Sequence, residues 1–294
     1  MAENSIFGDV MNENCEGQYP KEATNAATLT DVDLPRFSIC TIVNRPAQYA
    51  ELVRSFQAGG FTAGAGCEYL YLDNSSGNKY EAYSGYNIFL RLARGKYLIL
   101  CHQDVSLIED GVDRLNEIIE ELDCHDPKWG LFGNSGFYWP GREVIRISDH
   151  VGKNQSIGGP FPHKCYSLDE NFIVVRADAN LALSSDLTGF HLYATELCLV
   201  AAELGHQSYV VDFHLLHAGE AIMDKTYAQI RSAMIRKYSR MTGMRLVRTP
   251  CSDMIFTPWA PLTWLANTPT GWKISRLVSR VCGSPPKPNE KMSF

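Results

Sequence analysis

No apolar run in this 294-residue chain reaches the roughly 18 residues that a spanning helix needs. The sequence therefore predicts no such helix. No secretory leader is expected either, because Met1 to Asn14 is polar and acidic where a signal would be basic and then apolar. The nine cysteines, at 15, 40, 67, 101, 124, 165, 198, 251 and 282, include no CxxC pair. Cys40, Cys101 and Cys198 lie inside apolar runs, where a free thiol packs as a small hydrophobe. This usage argues against a disulfide framework or a cysteine-rich zinc site, and it predicts a reducing, cytoplasmic setting. Basic charge is scarce where a nucleic-acid face would need it. The first 224 residues hold 15 Lys and Arg against 31 Asp and Glu; from Lys225 onward there are 12 against two, Asp253 and Glu290. No nucleic-acid partner is expected. The basic end reads as a segment that faces a membrane surface or a partner.

What is present is enough apolar material, 45% of residues, for one large α/β core with extensions. Residues 1–35 are rich in Asn, Glu, Thr and Ala without periodicity and read as a flexible arm. A strand is predicted over 37–43, ending at Asn44-Arg45-Pro46, then a helix over 47–58 that stops at Gly59-Gly60. A second strand over 67–72 ends in the polar turn Asp73-Asn74-Ser75-Ser76-Gly77. A helix over 84–94 leads to a third strand, 96–101. This alternation implies parallel strands with right-handed crossovers. Further on, 110–122, 196–204 and 225–240 have helical spacing, and 129–132, 172–175 and 208–213 read as strands. Residues 133–167, rich in Gly, Pro and aromatics, read as loops around a pocket.

The third strand runs into His102-Gln103-Asp104-Val105. In an α/β domain the ends of parallel strands converge on the ligand edge. That edge here carries Asn44, Arg45, Asp73, Asn74 and Asp104. A carboxylate at such a strand end is a natural anchor for a divalent ion and the phosphates it neutralises, although Asp is also common as a helix cap or turn residue. No GxGxxG follows the first strand and no GxxxxGK[ST] occurs, which excludes the usual dinucleotide fingerprint and the P-loop. A nucleotide held mainly through metal-bridged phosphates fits better.

The ordered segments Asn44-Arg45-Pro46, Leu72-Asp73-Asn74-Ser75-Ser76-Gly77, Tyr86-Asn87-Ile88, Ala93 to Leu100 and His102 to Val105 resemble a family 2-like glycosyltransferase of GT-A fold. The form His-Gln-Asp-Val is similar to one subgroup of that family, as are Leu168 to Arg176 and Leu187 to Leu199. The resemblance spans residues 37–220 and implies a mainly parallel mixed sheet with helices on both faces. It implies that Asn44, Arg45, Asp73, Asn74, Asn87 and Gln103 bind a nucleotide-sugar, and that Asp104 holds Mn²⁺ or Mg²⁺ with His217 as a second ligand. His214 is a weaker candidate ligand. The same two histidines also suit ordinary strand-end roles. The acceptor implied is a saccharide or a lipid-linked sugar in surface-polysaccharide assembly. Inverting members carry an acid where Ala194 stands here, so the general base is expected among Glu196, His191 and Asp186. Glu196 equally suits a helix first turn, where the macrodipole favours an acid. The missing acid also allows a retaining mechanism or a non-catalytic binding protein. A nucleotidyltransferase would want a Gly-rich basic loop in place of Asn44 to Ala47.

Tyr138 and Trp139 suit stacking on a sugar face or packing in the core. His150 and His163 lack partner spacing, and Asp149 is a weak acid–base candidate. In the expected C-terminal extension, 225–294, helical spacing places Ile274, Leu277, Val278 and Val281 on one side, with Lys273, Arg276 and Arg280 away from it. With Trp259, Trp264 and Trp272 nearby, this predicts an amphipathic helix for a membrane interface or for packing on the domain. The domain boundaries are thus an arm, 1–35, a catalytic domain, 36–224, and this extension. The setting implied is the cytoplasm, with association at the inner membrane face.

Overall fold

The computed structural model describes residues 10–12, 34–138, 142–149, 151–219, 225–241 and 244–281. Its first unit alternates strand and helix. β1 (Val10–Asn12) and β2 (Phe37–Val43) precede α1 (Pro46–Ala58); β3 (Cys67–Asp73) precedes α2 (Ala82–Leu92); β4 (Tyr97–Cys101) and β5 (Val105–Leu107) precede α3 (Val112–His125). Next comes a β-rich stretch: β6 (Trp129–Gly133), β7 (Ser135–Tyr138), β8 (Arg142–Ser148), β9 (Asn154–Ile157), β10 (His163–Cys165), β11 (Ser167–Leu168) and β12 (Phe172–Arg176). The chain continues with α4 (Tyr193–Glu203), β13 (Gln207–Val210), β14 (Leu215–His217) and α5 (Lys225–Tyr238). It closes with the hairpin β15 (Arg245–Arg248) and β16 (Asp253–Phe256), then α6 (Ala260–Ala266) and α7 (Pro269–Val281).

The main sheet has the order β1-β3-β2-β4-β12-β6-β13-β10. β2 pairs in parallel with β3 and β4, and β6 with β13. β12 runs antiparallel between β4 and β6. The edge strands β1 and β10 are also antiparallel to their neighbours. The sheet is therefore the mixed α/β sheet that the family resemblance implies, and its β3-β2-β4 set is parallel as the strand–helix alternation implies. Strand side chains alternate between faces, so β4 sends Leu98 and Leu100 into one core and Tyr97, Ile99 and Cys101 into the other. α1 and α3 cover the second face through Leu52, Phe56, Leu115 and Ile119. The first face is covered by α2, α4, α5 and the β15–β16 hairpin, through Tyr86, Leu197, Met234 and Phe256.

Residues 133–167 are not the loops the sequence suggests. They build most of a second sheet, β11-β7-β8-β14-β5, with β9 on β8. The glycines that read as loop signals serve close strand packing. A Cβ at Gly136 would lie 2.4 Å from the Ser167 carbonyl oxygen, and one at Gly133 2.8 Å from that of Phe172. α4 also begins earlier than its spacing suggests, after Leu192 turns the chain at φ 64°. Trp139 and His150 lie outside the described residues, as does most of the 1–35 arm.

Candidate active site

The end of β4 lies at the junction of the two sheets. The chain leaves the main sheet at Cys101, passes His102, Gln103 and Asp104, and enters β5 in the second sheet. β14 pairs antiparallel with β5 and sets His217 opposite Val105. The Ala218 N–H then donates to the Asp104 carbonyl at 3.0 Å. Pairing register, rather than any local signal, thus brings a histidine from 113 positions downstream beside Asp104.

Three side chains converge there. His102, Asp104 and His217 each offer a ligand atom within 4.8 Å of the others. His217 Nε2 is 3.5 Å from Asp104 Oδ1, and His102 Nδ1 is 3.4 Å from His217 Nε2. The Tyr193 hydroxyl donates to the Glu170 carbonyl at 2.9 Å. It must then accept from His102 Nε2, also 2.9 Å away, which leaves the Nδ1 lone pair of His102 facing the cluster. An outer partner that fixes the ligating tautomer in this way is common around metals. Burial, then the neighbouring His217, pushes His102 down to about 4, so it is neutral, as a ligand must be. Burial alone would raise the Asp104 carboxyl, but contact with His217 and the field of His102 hold it below the usual range. His217 is held up by Asp104 against the effect of its own burial.

This arrangement fits a divalent ion. Asp104 Oδ1 is buried and accepts no hydrogen bond, a costly state unless a cation completes it. Gly219 keeps the space open, since a Cβ there would lie 2.5 Å from Asp104 Oδ2 and 3.0 Å from His217 Nε2. Two imidazoles and a carboxylate suit Mn²⁺ better than Mg²⁺, which prefers oxygen ligands.

The cluster lines a cavity of about 390 Å³ with Asn44, Asn74, Tyr86, Gln103, Asp169, Glu170, His191, Tyr193, Thr195 and Tyr227. That volume is within the range of small-molecule sites. Gln103 Oε1 accepts the N–H groups of Asn44 and Arg45 at 2.9 and 2.8 Å, and its Nε2 donates to the Asn44 side chain. Gln103 therefore fixes the β2–α1 turn at the rim, and Arg45 is exposed outside the lining. Asn74 accepts the N–H groups of Lys79 and Tyr80, both at 3.0 Å, which shapes the loop after β3. Asp73 is turned away from the lining and accepts the Ser75 N–H at 2.7 Å.

Several expected site residues serve the fold instead. Asn87 clasps the backbone of Leu183, donating and accepting at 2.8 Å, and does not reach the cavity. Glu196 is fully buried. Its carboxylate accepts from the Ser184 N–H at 3.0 Å, the Ser184 hydroxyl and the Tyr238 hydroxyl at 2.8 Å, so it has no free path to a substrate. Asp186 is exposed and pairs with Lys237. Of the three base candidates, only His191 lines the cavity. Ala194 is packed in the core. His214 bonds Ser148 at 2.9 Å, away from the cluster. Asp149 holds its own turn through Val151 and Lys153, and Tyr138 stacks on His163 at 4.9 Å.

Sequence reasoning missed His102, Tyr193 and Glu170 as functional groups. The turn from His102 to Val105, closed by the Val105 N–H on the His102 carbonyl at 3.4 Å, brings His102 and Asp104 together, and their adjacency in the His-Gln-Asp motif was the available signal. Glu170 stands beside Asp169 and faces the start of α4. Burial, then the adjacent Asp169, pushes its carboxyl up to about 8 against the N–H groups of Leu192 and Tyr193.

No family model matches the chain. Among curated proteins, "ATP synthase subunits region ORF 6" of Fuscovulum blasticum is 38% identical over 217 residues, covering 72% of this chain and 86% of that protein. Among solved structures, the chain is similar to a mannosyltransferase from Pyrobaculum calidifontis in complex with GDP-Man and Mn²⁺, at 12% identity and TM-score 0.46, over 85% of this chain and 76% of that one. It is also similar to residues 1–349 of TarS from S. aureus in complex with UDP-GlcNAc, at 12% identity and TM-score 0.47, over 71% and 68%. Likeness at that level transfers no chemistry to this chain; a function has to rest on the residues of its own cavity.

Proposed function

The chain belongs to the same family as the ORF 6 protein of the Fuscovulum blasticum ATP synthase region, and we propose that it is a metal-dependent glycosyltransferase. Its donor would be a nucleotide-sugar, by default a UDP-sugar, and its acceptor a saccharide or lipid-linked sugar in surface-polysaccharide assembly. One observation carries the proposal: His102, Asp104 and His217 converge at the end of β4, inside a cavity edged by the polar ends of β2 and β3. The ordered motifs of the His-Gln-Asp-Val subgroup support it. Seven described cysteines are free, which supports a cytoplasmic setting.

His102, Asp104 and His217 would hold Mn²⁺ or Mg²⁺, and the ion would supply charge neutralisation for the departing diphosphate. Gln103 holds the Asn44–Arg45 turn in place for the nucleotide. Glu170 is the cavity group best suited to take the acceptor's proton, because a carboxylate tuned towards neutrality is an effective general base. Tyr193 positions His102 and, through the Glu170 carbonyl, the segment that carries this acid.

The test is release of nucleoside diphosphate from a panel of nucleotide-sugars with Mn²⁺, read together with thermal shifts, since a ligand that binds only the folded form raises its melting temperature. Asp104→Ala is expected to abolish both turnover and the metal-dependent shift. Glu170→Gln is expected to keep the shift and lose about 10²- to 10⁴-fold in turnover. Metal-dependent binding without turnover of any donor would favour a binding protein on a transferase scaffold. A wild type that neither binds nor turns over any donor would exclude both.

A further inference from the structure

α7 is mounted with its apolar stripe outward. Trp272 faces the body of the protein, with the Arg231 guanidinium 4.8 Å from its ring centre. One turn on, Arg276 reaches inward to Asp253 at 3.0 Å. Ile274 and Leu277 lie on the opposite side and are 57% and 60% exposed. A helix that packs on its own domain does the reverse, burying its apolar face. α6 and the residue before it add Trp259, Trp264 and Leu265, at 64%, 74% and 56% exposed. A soluble monomer rarely concentrates large apolar side chains in this way, and such concentration marks an interaction surface.

Charge identifies the partner. Asp253 is the sole acid between Lys225 and Val281, and it is 1% exposed, held by Arg248 and Arg276. The outer surface of this segment therefore offers no carboxylate, while Lys273 beside the apolar stripe is exposed. An anionic lipid surface uses both the apolar stripe and the basic charge.

We propose that the α6–α7 face docks on an anionic bilayer surface, with its outward tryptophans and aliphatic side chains at headgroup depth and Lys273 against lipid phosphates. The docking does not depend on the reaction assigned to the cavity. It would set the protein beside a lipid-linked substrate without a spanning segment, and no helix among the described residues is long and apolar enough to cross a membrane.

The full chain should co-sediment with vesicles of phosphatidylcholine and phosphatidylglycerol, and weakly with phosphatidylcholine alone. Added salt should reduce binding, because exposed charges are screened. Ile274→Glu with Leu277→Glu should lower the bound fraction about ten-fold or more, with the melting temperature unchanged. Trp264→Ser, in a separate helix, should act in the same direction. Failure of the wild type to bind anionic vesicles would overturn the proposal. So would a dimer in solution that the same double variant dissociates, since a second copy would then cover this face.

Discussion

At the scale of single residues, chemistry-bearing side chains separate into two groups by what surrounds them. Glu196 and Glu170 are both acids beside α4, and sequence alone offered Glu196 as a base candidate and passed over Glu170. Burial and bonding point the other way. Glu196 is saturated by Ser184 and Tyr238, whereas Glu170 lines the cavity. Glu196→Ala should therefore cost about 2–4 kcal/mol, because it removes three hydrogen bonds that a buried carboxylate accepts and leaves a void in the core. It should leave turnover per folded molecule near the wild-type value at low temperature. Chemical denaturation together with an assay well below the midpoint checks both halves, and a large loss of turnover with full stability would restore Glu196 as the base.

At the scale of elements, the site depends on pairing between segments remote in sequence. β14 brings His217 to Asp104 because it adds to β5 in one register; a shift of one residue would send the imidazole to the opposite face. Asn87 does comparable work for α2, since its amide replaces two backbone partners that Leu183 would otherwise lack. Asn87→Ala should cost about 1–3 kcal/mol for those unpaired groups while leaving the donor KM unchanged. Urea unfolding and donor titration measure the two effects separately. A raised KM with unaltered stability would return Asn87 to the donor-binding role implied by its motif.

At the scale of the whole molecule, the main sheet insulates two cores, and the cavity opens where the second sheet meets its edge. Placing a carboxyl there has a pH signature. The folded-state pKa of Glu170 stands at about 8, above that of an unfolded Glu, so the fold prefers the protonated acid. The stability tied to this group is fully present below the ordinary Glu range and is lost as pH rises through about 8. Melting temperatures followed from about pH 5 to about pH 9 should fall for the metal-free wild type and fall less for Glu170→Gln. Identical slopes for the two proteins would mean that Glu170 is not buried as a protonated acid.

Local pattern is enough to specify the alternation of strands and helices, the parallel set around β2, and Asp104 at a strand end. Apolar periodicity and strand termini are local properties, readable within a dozen residues. The same pattern marks the amphipathic α7, whereas His217 as a ligand rests on the family resemblance and not on local spacing. Long-range packing, by contrast, makes His102 complete the cluster, turns Glu196 and Asn87 to the support of the fold, and brings Glu170 into the cavity. It also turns the apolar side of α7 to solvent. Each of these depends on which neighbours a side chain meets across long sequence separations, and burial and partner identity have no local signature. The strands between 133 and 167 were hidden for the same reason: their glycines permit close backbone approach between strands, and sequence alone cannot tell that use from a loop.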